Sequence, residues 1–407
     1  MTKTTEYKNT AIGPIPIDWE VNKFNDFSKF YSGGTPLTSK PQYYGGVIPF
    51  IKSGEIYYNK TEQFLTEEGL SNSSAKMVSK GDLLYALYGA NSGEVAISQI
   101  EGAINQAILC INQNKNKAET IYLYNYLIFQ KDIIIKKYLQ GGQGNLSADI
   151  IKKLQIPLPP IPEQRKIAEV LSTWDKAIQE TDAIIKKLED RNKGLATNLL
   201  TGKSRIAGFK DKWKSLKVKD IFKEVRDVND GEEFHTALTI SAKKGFVSQE
   251  DKFDRVIAGQ SLKKYTLLKK GDYAYNKGNS KTYEYGCIYT LNDYESALVP
   301  FVYICFRPII DICNDFYSHW FLNHNLDNQL RKIITSGARG DGLLNVSRND
   351  FFNLFIEAPS IEEQNAIAEI LNTANQEVKQ YQQKLEVLTL QKKGLMQQLL
   401  TGKVRTI

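Results

Sequence analysis

The chain has 407 residues, 42% of them hydrophobic, with 53 basic against 46 acidic side chains for a net charge of +7. That length exceeds one ordinary core and suits two to four folded units of roughly 100 to 200 residues. No run approaches the roughly 20 apolar residues of a membrane span, and Met1-Thr-Lys-Thr-Thr-Glu lacks the order of a secretory signal, so a soluble, cytoplasmic protein with no membrane partner is expected.

In chain order, residues 1–157 read as a first globular region, with strand-like runs at Ile48-Pro-Phe-Ile51 and Ala103-Ile-Asn-Gln-Ala-Ile-Leu109 and a helical stretch from Tyr122 to Tyr138. Residues 158–205 read as one long helix. Its apolar residues Ile167, Leu171, Trp174, Ile178, Ile185, Leu188, Leu195 and Leu199 follow the alternating four-and-three spacing of a coiled-coil seam. Residues 206–357 form a second globular region, with a strand-like run from Phe301 to Phe306 and helical character from Phe316 to Ile333. Residues 358–407 repeat the long helix, with Ile367, Leu371, Val378, Tyr381, Leu385, Leu388, Leu395 and Leu399 as its seam.

The two helices are copies of one another. Ile161 to Arg205 aligns on Ile361 to Arg405 without a gap and with 18 of 45 positions identical, which chance does not produce. Pro162 suits a first helical turn, Ser360-Ile-Glu-Glu363 has the form of a capping box, and Gly202 and Gly402 mark the helix ends. Fainter repeats link the globular regions: Asp18-Trp-Glu with Lys212-Trp-Lys, Lys80-Gly-Asp with Lys270-Gly-Asp, and Asn145-Leu-Ser147 with Asn345-Val-Ser347. The fold expected is α+β: two homologous globular regions separated by two antiparallel helices of about 40 residues, related by an approximate two-fold axis. Asn192 and Lys392 fall at equivalent seam positions and are expected as its polar exceptions.

The equipment of a DNA-modifying enzyme is missing. The Leu-Thr-Gly-Lys segments ending at Lys203 and Lys403 lack the first glycine of a phosphate-binding loop and end helices instead of starting them. No N-P-P-[YF] tetrapeptide or nuclease-like cluster of carboxylates and lysine is present, and the four cysteines and three histidines have no metal-ligand spacing. Neither a catalytic residue nor a metal or cofactor is expected in this chain.

What the globular regions do offer is glycine-rich loops carrying tyrosines, amides and lysines. Such loops can set donors on phosphates while longer side chains reach base edges, although Gly, Asn and Ser are also ordinary turn chemistry. The DNA-contact candidates of the first region are Thr35, Lys52, Ser53, Tyr88, Asn91, Ser92, Gln140, Gln143 and Asn145. Those of the second are Lys243, Lys244, Asn276, Lys277, Asn279, Lys281, Arg339 and Arg348. The first 155 residues hold 16 lysines and no arginine, whereas residues 206–355 hold 16 lysines and six arginines. Since arginine's fork makes the commonest contact to guanine, Asn91, Gln143 and Asn145 are assigned to adenine edges and Lys52 to phosphate. Arg339 is assigned to a guanine, and Arg348 to guanine or phosphate, with salt bridges inside the region as the alternative for both.

At this point the sequence resembles the specificity subunits of type I restriction-modification systems, over nearly its whole length. The resemblance rests on Leu158-Pro-Pro-Ile-Pro-Glu-Gln164 and Ala358-Pro-Ser-Ile-Glu-Glu-Gln364 opening the helices and Leu-Leu-Thr-Gly-Lys closing both. Gly33-Gly-Thr-Pro36, Asn105-Gln106 and the glycine-rich loop before Asn145 also look like that family's target-recognition domains. The second region departs, with Ala358 and Glu362 where prolines are typical and no Gly-Gly-Thr-Pro. The resemblance implies a bipartite, asymmetric site in double-stranded DNA, read by one region per half. It also implies two modification subunits, which bring S-adenosylmethionine and methylate adenine, and two restriction subunits, which with ATP and Mg complete the nuclease. The rival readings are a self-sufficient methyltransferase and a coiled-coil scaffold that touches no nucleic acid.

Overall fold

The computed structural model describes residues 6–138, 145–229, 236–242, 244–250, 259–278, 283–334 and 343–406. The chain divides into two compact units, residues 1–182 with 383–407, and residues 183–382. Both mix helix and sheet.

In the first unit, one four-stranded sheet runs in the order Gln63–Leu65, Tyr44–Ile51, Gly102–Ile104, Lys76–Val78, with Tyr44–Ile51 and Gly102–Ile104 parallel. A second, wholly antiparallel sheet has the order Ser28–Ser32, Ile108–Gln113, Leu83–Ala86, Val95–Ile97. The apolar run from Ala103 to Leu109 is therefore two strands in two sheets, broken where Ala107 N–H donates to Asn105 Oδ1 at 3.1 Å. Helix Thr120–Tyr138 buries Tyr122, Leu123, Tyr126 and Leu127 among Trp19, Phe24, Tyr85 and Leu109 of the core.

The second unit repeats this plan. Its four-stranded sheet has the order Phe222–Glu224, Ile304–Pro308, Tyr273–Asn276, Cys287–Thr290, strand for strand the order of the antiparallel sheet in the first. In place of the other sheet, the described residues hold two antiparallel pairs, the hairpin Leu238–Ser241 with Gly245–Ser248 and the pair Thr266–Lys269 with Ser296–Val299, linked by a parallel bridge from Ala237 to Leu298. The repeated Lys-Gly-Asp is a turn that starts a strand: Gly81 and Gly271 take φ of 96° and 87°, and Asp82 and Asp272 each accept the backbone N–H three residues back at 2.8 Å. The expected helix from Phe316 to Ile333 is two, Asn314–Leu322 and Asp327–Ile333, parted at His324 with φ of 60°.

The long helices are Ile161–Leu200 and Ile361–Leu399. Within each unit the start of one packs antiparallel on the end of the other. In the first unit Ile167 and Leu171 share a core with Met396, Leu399 and Leu400. In the second, Ile367 and Leu371 share one with Leu199 and Leu200. The seam holds its expected spacing, with Thr181 and Ala374 filling the steps between the apolar residues. Asn192 is buried and donates to the Ala374 carbonyl at 2.8 Å, while Lys392 pairs with Asp175. Both polar exceptions thus have a partner across the seam, as a buried polar group requires.

Both helices end as glycine caps. Gly202 and Gly402 share φ of 69°, and Ser204 and Val404 N–H reach back six residues to Asn198 and Gln398 carbonyls. The capping box at Ser360 forms only in half: Glu363 N–H donates to Ser360 Oγ at 3.4 Å, but the Glu363 carboxylate is taken by Arg205 and by Trp213 Nε1–H. The first unit has the same clasp. Glu163, fully buried, accepts both Arg405 Nε and Nη2 at 2.7 and 2.8 Å and Trp19 Nε1 at 3.0 Å. Glutamate, tryptophan and arginine thus recur in both halves of the repeat because together they satisfy one buried carboxylate.

Candidate nucleic-acid interface

In the first unit the parallel pairing of Ile51 with Ile104 brings the turns that follow both strands to one edge. Leu87 N–H donates to the Ala107 carbonyl at 2.8 Å, which adds the turn after Leu83–Ala86 to the same edge. Leu146 N–H donates to the Leu87 carbonyl at 2.9 Å and Asn145 bridges Tyr88, so the segment leading to Ser147 is pinned there as well. Four sequence-distant loops converge.

Lys52 and Ser53 occupy the first of these turns, both half-buried. The turn is held from within by Glu55, whose carboxylate accepts Lys52 N–H at 3.0 Å, Glu62 N–H at 2.9 Å and Thr61 Oγ1 at 3.0 Å. Thr35 is exposed and donates to Gln106 Oε1 at 2.6 Å. Its loop can lie there because a Cβ on Gly33 would stand 1.7 Å from the Ile104 carbonyl oxygen, so only glycine fits. Tyr88 is exposed, Asn91 half-buried, and Ser92 buried with its hydroxyl on the Leu87 carbonyl at 3.1 Å. Asn91 Nδ2 lies 3.4 Å from where a Gly54 Cβ would be, so this turn abuts the Lys52–Ser53 turn. Asn145 is exposed beside Tyr88. Thr35, Lys52, Ser53, Tyr88, Asn91 and Asn145 therefore share one edge, Ser92 serves that edge from inside, and Gln140 and Gln143 lie outside the described residues.

The second unit builds a comparable edge. Leu344 N–H donates to the Lys277 carbonyl at 2.9 Å and Gly278 bridges Leu343, as Leu146 does to Leu87 in the first unit. Asn276 ends its strand and turns its Oδ1 onto Gly278 N–H at 2.9 Å, and Lys277 follows, half-buried. Lys244 is exposed at the tip of the hairpin ending at Gly245, whose φ of 72° makes the turn. Arg348 is already engaged: its Nε pairs with Glu224 at 2.6 Å, a carboxylate that also holds Arg226. Lys243, Asn279, Lys281 and Arg339 lie outside the described residues.

Among the described residues at either edge, no side chain resembles a nucleophile with a base. Burial pushes the Cys110 and Cys305 thiols up to about 12, far from thiolate. Among the described residues no cluster of histidine, cysteine and carboxylate could hold a metal ion, and no helix is long and apolar enough to cross a membrane. The structural roles of Glu55, Glu94 and the glutamate clasps were not legible in the sequence. The repeated Trp19/Trp213, Glu163/Glu363 and Arg205/Arg405 were visible there as repeats but not as partners.

The comparisons with known proteins agree with this geometry. A family model for the type I restriction modification DNA specificity domain matches residues 16–190. A type I restriction enzyme specificity subunit of Methanocaldococcus jannaschii, MjaVIII, is 25% identical over 96% of this chain and 94% of its own. A second from that organism, MjaIX, is 35% identical over 43% of this chain and 42% of its own. Among solved structures, the S subunit of a type I system from M. genitalium superposes with a TM-score of 0.55 at 15% identity, covering 94% of this chain and 96% of that one, which is a likeness of fold. Residues 16–190 thus match the type I restriction modification DNA specificity domain, and over nearly its whole length the chain is similar to specificity subunits of type I restriction enzymes and shares the fold of a solved S subunit.

Proposed function

We propose that this chain reads a two-part, asymmetric sequence in double-stranded DNA, with residues 1–157 and 206–357 each reading one half and the paired helices setting the length of the unread gap. The observation that carries this reading is the loop edge in each unit: in the first, lysine, amide and tyrosine side chains converge from sequence-distant turns, and in the second, Asn276 and Lys277 are joined to the segment at Leu343 and Leu344. Lysines there suit phosphate and the amides suit adenine edges. Two modification subunits carrying S-adenosylmethionine would dock on the helices and methylate adenine within the site, and two restriction subunits would add ATP- and Mg-dependent cleavage. Those cofactors would come with the partner subunits.

The test is to map methylated adenines in DNA exposed to the assembled modification complex, with and without a change in helix length. Inserting one heptad after both Glu180 and Gln380 adds about 10 Å of helix while keeping the seam in phase. The half-site sequences are expected to persist and the gap to lengthen. Methylation at the original gap by the lengthened protein would show that the helices are not the ruler, and methylation without a two-part sequence would sink the recognition reading itself.

A further inference from the structure

Below the tips of the first unit's loops, one carboxylate ties two of them together. Tyr57 Oη donates to one oxygen of Glu94 and Lys131 Nζ to the other. Tyr57 closes the turn that begins with Lys52 and Ser53. Glu94 follows the turn that carries Tyr88, Asn91 and Ser92, and its N–H donates to the Asn91 carbonyl at 3.0 Å. Lys131 lies on helix Thr120–Tyr138, against which Gly93 is seated: a Cβ there would meet Ile135 Cδ1 at 3.0 Å.

A carboxylate beside a polyanion is repulsive unless its charge is met. Burial alone would raise the Glu94 carboxyl, but hydrogen bonds from Lys131 and Tyr57 and the Lys131 charge bring it below the usual carboxylate value. Both oxygens are covered, so the group costs little at a DNA-facing edge and serves as a joint. The second unit has no carboxylate at the matching position. Val95 pairs with Tyr85 and Ile288 with Tyr275, so the position matching Glu94 is Cys287, which is buried.

We propose that Tyr57, Glu94 and Lys131 form a buttress that fixes the Lys52–Ser53 turn against the Tyr88–Ser92 turn, making Tyr57 and Glu94 positioning residues for base recognition in one half of the DNA target. The inference rests on the two-part recognition reading above and adds residues outside the loop tips to it. Asn91, touching the Gly54 position, is the side chain whose placement the buttress controls.

The experiment is selection from a randomised DNA duplex pool by the full chain bound to its modification subunit, comparing wild type, Tyr57→Phe, Glu94→Gln and Glu94→Ala, with thermal unfolding of each. Tyr57→Phe keeps the ring and removes the donor. It is expected to reduce base preference in one half-site by roughly fivefold or more, the low end of what one misplaced base contact costs, and to leave the other half unchanged. Its melting temperature is expected to fall by no more than about 3 °C, as for one part-exposed hydrogen bond. Glu94→Gln, which keeps an acceptor for Tyr57, is expected to retain more of the preference than Glu94→Ala. Wild-type preference in both halves for Tyr57→Phe, or an equal loss in both, overturns the proposal. A wild type that itself selects no two-part sequence instead brings down the recognition reading, and the buttress with it.

Discussion

The first globular region contains no arginine and the second has six, yet the described arginines of the second are largely engaged in ion pairs of their own. Arg226 and Arg348 share Glu224, and Arg307 is held by Asp272 and Asp227. Among the described residues, the compositional contrast therefore overstates the difference between the two regions. Arg348 ties Phe222–Glu224 to the helix Arg348–Phe352 and Arg307 ties Ile304–Pro308 to the turn at Asp272, whereas the first region ties its turns with Glu55 and Glu94. Counting a residue type finds the charge but not where it is spent.

The largest effect that could break the likeness of the two units is at the clasps. Arg405→Ala strips a fully buried carboxylate of its main partner and is expected to cost about 3 kcal/mol or more in thermal or urea unfolding. Arg205→Ala is expected to cost less, since Arg405 also binds Asp18 through both its amino groups and the matching residue in the second unit is Lys212. Equal losses would show that Asp18 adds nothing. At the seam, Asn192→Leu exchanges a hydrogen bond to a backbone carbonyl for apolar packing and is expected to raise stability by about 1 kcal/mol, read as a higher melting temperature. A lower one would show that Asn192 stabilises the helix pair beyond setting its register.

Smaller effects sharpen the contrast between the loop edges. Lys52 has no carboxylate partner among the described residues, so Lys52→Ala is expected to weaken DNA binding evenly across sequences and to lower the salt slope by about 1. Arg348→Ala, releasing Glu224, is expected to leave base preference unchanged, and a binding-site selection that relaxed one base would restore Arg348 to a reading role. The smallest difference concerns acid. The hydrogen bond from Arg405 holds the Asp18 carboxyl below its usual value, so its contribution is whole above the unfolded value of about 3.9 and is lost as pH falls through the lowered one. Asp18→Asn should therefore flatten the stability profile only below about pH 4. A difference at pH 7 that grew toward neutrality would contradict that sign.

The helices were the most legible part of the sequence, because a 200-residue offset and a seam spacing are periodic signals that one side chain cannot disguise. Their partners were not, since nothing local says that Arg405 meets Glu163. In the globular regions the run from Ala103 to Leu109 looked like one strand because both of its halves are buried; only the sheet pairing reveals Asn105 and Gln106 as the corner between them. His324 broke an apparently continuous helix by adopting a left-handed conformation that sequence periodicity does not signal. At the loop edge, Gly33 and Asn91 could be chosen because glycine and amide chemistry is distinctive. Tyr57 and Glu94 could not, because an acid that neutralises a lysine internally looks in sequence like any surface charge.

The two clasps have a bearing on how such a chain can vary over time. Each pins the start of one long helix to the end of the other through a carboxylate that must be met. An insertion in one helix alone would shift its seam residues past their partners or be expelled as a bulge, while the clasps held the ends in place. Length changes in these helices should then survive mainly as matched pairs, appearing among descendants of one ancestral gene as correlated gaps about two hundred positions apart, and a lineage with a lone insertion should also have lost a clasp.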